Sequence, residues 1–222
     1  MKRVYFIILL QALIASACAQ LKNDTIMIDR YDFEITENGS KDVLIQKGDW
    51  IVVIWAKPSM FQFEYAPAKD FYIILKEYYP NGVIHSYCKF LGNVAFGYRE
   101  YFDENGQLIK SIDEDAKFGK IKPGQFVDIL EKIGWINRKT GENIVTKEPL
   151  KTDGSFTMKL QRSIEIYFSP AEYDKDGKET KPPVWSANYT SEYLHDNIMY
   201  YCYVDGNTGE CKFDQHEYYI IK

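Results

Sequence analysis

Three histidines, four cysteines and 32 acidic side chains are the groups from which this 222-residue chain can assemble chemistry, and their spacing decides how far each goes. His85 and Cys88, three apart, have the separation of a metal-binding pair. They sit in strand-like text, where side chains three apart point to opposite faces, so they cannot share an ion without a bulge. Cys211 and His216, five apart, fail for the same reason. Nucleophilic catalysis needs a Ser or Cys in a sharp glycine elbow with a histidine in reach. No G-x-S-x-G occurs, and Asn38-Gly39-Ser40 reads as a hairpin turn. Cys88 and His195 could be brought together by folding, as any two residues could, and Cys88 reads as a small buried thiol in a strand. The densest carboxylates are Asp113-Glu114-Asp115 and Asp174 with Asp176. "DKDGKE" half meets the calcium-loop pattern but lacks the third ligand and the distant Glu, so these are solvated turn charges. No glycine-rich loop is present to cradle a phosphate. The sequence therefore predicts no catalytic residue, no metal, no cofactor and no nucleotide site.

Rings are the better resource. Tyr contributes 18 residues and Phe 13, in an aromatic fraction of 16%. That composition favours strands, where flat side chains pack on a half-buried pleated surface. Glu77-Tyr78-Tyr79 precedes the turn Asn81-Gly82, and Glu100-Tyr101-Phe102 precedes Asn105-Gly106, with the two glycines 24 residues apart. Alternation turns one ring of each pair inward and the next outward. One of Tyr78 or Tyr79, and one of Tyr101 or Phe102, is thus expected on a Tyr-rich contact surface suited to a protein partner.

The amino end carries an export pattern. Lys2 and Arg3 precede the apolar stretch Val4 to Ile14 and the small-residue region "ASACAQ". The apolar core is shorter than the about 20 residues a spanning helix needs. Ala15-Ser16-Ala17-Cys18 resembles the bacterial lipobox, which implies cleavage before Cys18 and its acylation; Ala17-Cys18-Ala19 ahead of Gln20 equally fits an ordinary signal peptidase. The expected address is the bacterial cell envelope, as a membrane-anchored lipoprotein or else as a soluble periplasmic or secreted protein. Losing residues 1–19 removes two cations, leaving 25 Lys and Arg against 32 acids, so the net charge moves from -5 to -7. Such a chain has no electrostatic footprint for a phosphate backbone, and nucleic acid is excluded as a partner.

Outside the signal region Cys88, Cys202 and Cys211 remain. Cys202 and Cys211 share a face of the last hairpin, and a turn centred between Gly206 and Asn207 sets them directly opposite, predicting a disulfide; a turn shifted by one pair leaves them diagonal.

The elements that must position these groups follow from periodicity. Asp49 to Ala56 is a nearly continuous apolar run, as in a strand covered on both faces, while Phe61 to Ala66 alternates strictly. Glycines at 92 and 97 punctuate the repeated hairpins into a meander. Past residue 118 the period changes. Pro123 opens a helix whose stripe is Phe126, Ile129, Leu130 and Ile133, ending at Gly134. "WINRKTGEN" from Trp135 and "YVDGNTGEC" from Tyr203 predict hairpins opened by Asx turns at Asn137 and Asp205 and closed by Gly141 and Gly209. Strands are expected at Phe156 to Phe168 and Val184 to Thr190, with an exposed loop between them. The fold class is α+β and mostly antiparallel β: a β-hairpin repeat region followed by a helix packed on an antiparallel sheet. The domains are a signal peptide at 1–19, a β-rich region at 20–118 and an α+β region at 119–222.

"YYPNG" through "YFDENGQLIK", within 71–112, resembles two copies of the MORN-type repeat in the variant labelled an antitoxin module. The helix followed by "VDGNTGE" resembles the PepSY-type unit of secreted bacterial proteins. Together with the export signal, the combination is similar to envelope proteins of Bacteroidetes-type bacteria. The resemblance implies a non-enzymatic, exported cell-envelope protein that binds a protein partner in an antitoxin-like, immunity-like or inhibitory role. The alternative is an envelope hydrolase with an unrecognised site.

Overall fold

Short turns set the architecture. In the computed structural model, which describes residues 36, 41–56, 60–67, 69–139, 164–190 and 198–217, seven strands follow one another as an antiparallel meander. They are β1 (Val43–Lys47), β2 (Trp50–Trp55), β3 (Met60–Tyr65), β4 (Ile73–Tyr78), β5 (Ile84–Leu91), β6 (Val94–Phe102) and β7 (Leu108–Asp113), in spatial order β1 to β7. The repeated phrase is hairpin construction. In its first copy Asn81 Oδ1 accepts from Val83 N at 3.0 Å; in its second, Asp103 Oδ1 accepts from Asn105 N at 2.9 Å and Gln107 N at 2.8 Å. A carboxylate or amide that binds the backbone two residues on holds the bend that glycine then closes.

A second sheet has the order β13-β12-β11-β8, all antiparallel, from β8 (Glu165–Ser169), β11 (Val184–Thr190), β12 (Ile198–Asp205) and β13 (Cys211–Glu217). Between β8 and β11, where an irregular loop was expected, β9 (Glu172–Tyr173) and β10 (Glu179–Lys181) form a small exposed hairpin. Its turn repeats the Asp103 device: Asp174 Oδ1 accepts from Asp176 N and Lys178 N, both at 2.9 Å. The run "DKDGKE" is therefore a turn signal, and its lack of apolar period reflects strands with no buried face.

The helix α1 spans Pro123–Lys132. Gln125 Oε1 accepts from Lys122 N at 2.8 Å at its start, and Gly134, with φ 80, ends it. Phe126, Val127 and Leu130 are buried, with Ile129 and Ile133 packed at the margin. Their target is Trp185 of β11, which stacks on Phe126 (centroids 4.9 Å apart) and on Phe118 (5.0 Å) while its Nε1 donates to Ile121 O at 2.9 Å. The same core takes Leu91 and Val94 from the first sheet and Phe71 from the connection before β4. Residues on both sides of position 118 thus share one apolar cluster. A smaller cluster of Val52, Ile54, Met60, Tyr78, Ile84 and Phe102 fills one face of the meander. The run Asp49 to Ala56 is covered on both faces at Ile51 and Val52, each 3% exposed, and opens on one face only at its end, where Trp55 is 50% exposed beside buried Ile54.

Candidate functional site

Strand parity resolves both aromatic pairs. Tyr78 and Phe102, at 5% and 6% exposure, point into the smaller core, which removes them from the expected contact surface. Tyr79 and Tyr101 are the half-exposed members. The register carries this outward face across the sheet, pairing Trp55 with Phe61, Phe61 with Glu77, Glu77 with Ser86, Ser86 with Tyr101 and Tyr101 with Lys110.

His85 joins the ridge through a bulge. Pairing of β4 with β5 shifts between Glu77 and Tyr78, which leaves His85 as the extra residue. Its ring lies 4.7 Å from Tyr79 and 6.4 Å from Tyr101, centroid to centroid, and its Nδ1 is 3.1 Å from Glu77 Oε2. The bulge that a shared metal would need is present, yet it aims His85 at Glu77, while Cys88 is buried with its sulfur directed to Lys89 O at 3.4 Å. Tyr79 is fixed by donating its hydroxyl to Phe102 O at 2.9 Å, and Asn81 Nδ2 donates to Glu104 O at 3.2 Å, tying the two repeat turns side by side. Burial and then the nearby carboxylates Glu104, Asp103 and Glu77 raise the Tyr79 pKa, so the phenol stays a donor. Lys110 Nζ caps the far end, 5.8 Å from the Tyr101 ring centroid. The result is a ridge of rings flanked by the Glu77 carboxylate and the Lys110 ammonium.

Trp55 and Phe61 extend this face although they lie upstream of the repeat. Trp55 also packs on Phe63 at 4.8 Å, and Leu44 nearby in the sheet is 63% exposed. Alternation in "FQFEYA" puts both Phe rings on one face of a half-exposed strand, but only the register shows that this is the face of Tyr101, with Gln62 on the other face buried at 4% exposure.

The cysteines require a correction. Cys88, Cys202 and Cys211 are all free thiols. Cys211 pairs with Val204 and Cys202 with Phe213, so the turn centres between Asn207 and Thr208 and the two sulfurs are diagonal, not opposite. Asp205 decides this: its Oδ1 accepts from Asn207 N and Thr208 N, both at 2.8 Å, and Gly209 N bonds Asp205 O at 2.8 Å, lengthening the loop by one pair. The Cys202 thiol is pushed up to about 12, by burial first and then by Cys211 beside it.

His216 turns to Asp214, with Nε2 3.2 Å from Oδ2, rather than to Cys211. Among the described residues no group of three His, Cys, Asp or Glu side chains is placed to hold a metal ion, and no helix is long and apolar enough to cross a membrane. Cys18, the signal region, the Asn38-Gly39 turn, Gly141 and His195 lie outside the described residues. Comparison with family models, with curated proteins and with solved structures finds no match.

Proposed function

We propose that this is a non-enzymatic protein of the bacterial cell envelope, exported and anchored through an acylated Cys18, that binds a protein partner on the Tyr79–His85–Tyr101 ridge. The role is antitoxin-like, immunity-like or inhibitory. In this reading the meander is a MORN-like scaffold, and the part beyond residue 118 is a PepSY-like α+β unit in which α1 docks on β11.

One observation carries the reading. Each aromatic pair splits into a ring that builds the core and a ring that stays on the surface, and the surface members flank His85, which Glu77 orients, with Tyr79 fixed on the Phe102 carbonyl. Tyrosines held this way present large contact area at small entropic cost on binding. Capture from solubilised envelope with tagged protein tests it. Changing Tyr79 and Tyr101 together to Ala is expected to weaken capture of the co-eluting protein at least tenfold, about 1.4 kcal/mol. Undiminished capture by that variant would remove the ridge from the proposal, and robust turnover of an envelope substrate would remove the non-enzymatic reading.

A further inference from the structure

Where the β5–β6 turn meets β8, the two sheets leave a cleft of about 280 Å³. The contact is tight at its edge, where Asn93 N donates to Ile166 O at 3.1 Å. Arg99, Glu114 and Lys117 form the polar side of the cleft, and Phe90, Val94 and Phe168 the apolar side. Arg99 Nε donates to Glu114 Oε1 at 2.7 Å, and Lys117 Nζ donates to Oε2 at 2.8 Å. One carboxylate between two cations leaves a single positive charge in excess. Burial pushes the Glu114 carboxyl up, but hydrogen bonds from Lys117 and Arg99 outweigh it and hold the group below its ordinary range, so the excess persists at neutral pH. The guanidinium also lies against an aromatic face, with Cζ 5.5 Å from the Phe90 ring centroid.

We propose that this cleft binds a small monocarboxylate carrying a flat apolar body. The charge excess of one matches a monoanion, whereas a dianion such as phosphate would set its second charge against Glu114 without compensation. Glu114 engages Arg99 through Nε and Tyr101 takes a further hydrogen bond from it, and the five donors of a planar guanidinium fork leave others for a second carboxylate. Phe90 and Phe168 offer ring faces and edges to a flat body. The volume falls below the about 300–1,000 Å³ usual for drug-sized ligands, which limits the occupant to roughly one ring. None of Tyr79, His85 or Tyr101 lines the cleft, although Arg99 hydrogen-bonds Tyr101; the phenylacetate titration needs no captured partner and so reads this site apart from the ridge.

Calorimetric titration of the full-length chain with phenylacetate, phenylacetamide and inorganic phosphate tests it. Phenylacetate is expected to bind at least tenfold tighter than either of the others. Lys117→Met, which keeps the Arg99–Glu114 pair, should weaken phenylacetate at least fivefold, and Glu114→Gln, which raises the positive excess, should tighten it. That opposition of sign is not produced by a merely structural network. If a variant fails to melt like the wild type, the acid-to-amide ratio on the wild type decides. No binding of phenylacetate at about 10 mM, well above a millimolar dissociation constant, would overturn the proposal. So would equal binding of the amide or of phosphate, or an unchanged affinity in Lys117→Met.

Discussion

The two sulfurs of the last hairpin differ in what surrounds them. Cys202 is fully buried, whereas Cys211 is half-buried with its sulfur 3.7 Å from Gly209 O. Because the thiolate is the nucleophile, a thiol held near 12 is inert at neutral pH. In native protein at pH 8 a thiol reagent should label Cys211 first, leaving Cys202 and Cys88 to react only after denaturation; peptide mapping of the labelled chain reads this directly. The same shift has a consequence for stability. Above about pH 9 the unfolded chain loses the Cys202 proton while the native chain keeps it up to about 12. The contribution is whole below pH 9 and is lost as pH rises towards 12. Parity made the shared face of Cys202 and Cys211 legible in the sequence. Their register was not, because it rests on how many backbone amides one aspartate collects, and Asp205 collects two.

Turns and the helix were the elements most open to reading, since their signals are local: Asn-Gly and Asp-x-Asn-Gly hairpins, Pro123 at the helix start and Gly134 at its end. The outward face was only half legible. Alternation gives the two faces of each strand, but which strands continue a face depends on pairing, and the bulge that places His85 has no sequence mark of its own. Leu130 tests the helix: it is fully buried on α1, and Leu130→Asp should cost several kcal/mol, enough to unfold a marginal domain. A melting curve like that of the wild type would remove the stripe from the core. Glycines test the junction of the sheets. Gly48 and Gly92 have similar φ, 60 and 56, yet a Cβ at Gly48 meets nothing within 4 Å while one at Gly92 falls 2.7 Å from Ile166 Cβ. Gly48→Ala therefore carries left-handed strain alone, about 1–2 kcal/mol, and Gly92→Ala adds overpacking of about 1–3 kcal/mol. Equal urea midpoints for the two variants would mean that the β5–β6 turn does not press on β8.

At the scale of the molecule, three carboxylates with lowered pKa lie far apart in the sequence and act alike. Glu114 gains hydrogen bonds from Lys117 and Arg99 that exceed its burial cost, Glu131 is held down by Arg138, and Asp205 by the amide of Thr208 and then that of Asn207. Each native carboxyl titrates below its ordinary value, 4.5 for the glutamates and 3.8 for the aspartate. Their stabilisation is present above those values and is lost as pH falls through the native ones. The urea midpoint should hold from pH 7 to 5 and drop below about 4.

The seam near residue 118 decides whether the two halves of the chain unfold separately. Composition and period change there, which argues for two units, but the packing crosses it. Phe118 stacks on Trp185, Ile121 N donates to Gly206 O at 2.8 Å, and a Cβ at Gly119 would fall 2.6 Å from Gly206 O, so the connecting segment lies directly on the β12–β13 turn. Leu91 and Val94 of the meander enter the same cluster as Leu130 and Trp185. Removing the Trp185 ring should cost about 3–5 kcal/mol, and a shared core transmits that loss to both halves. Trp185→Phe is the gentler probe, since it keeps an aromatic ring but removes the bond to Ile121 O. In the wild type, tryptophan fluorescence and far-ultraviolet circular dichroism should report one urea transition with a common midpoint. In Trp185→Phe both midpoints should move down together. Two separated transitions, with only the later half of the chain shifted by the substitution, would mean that the halves fold independently and that the contacts across residue 118 contribute little.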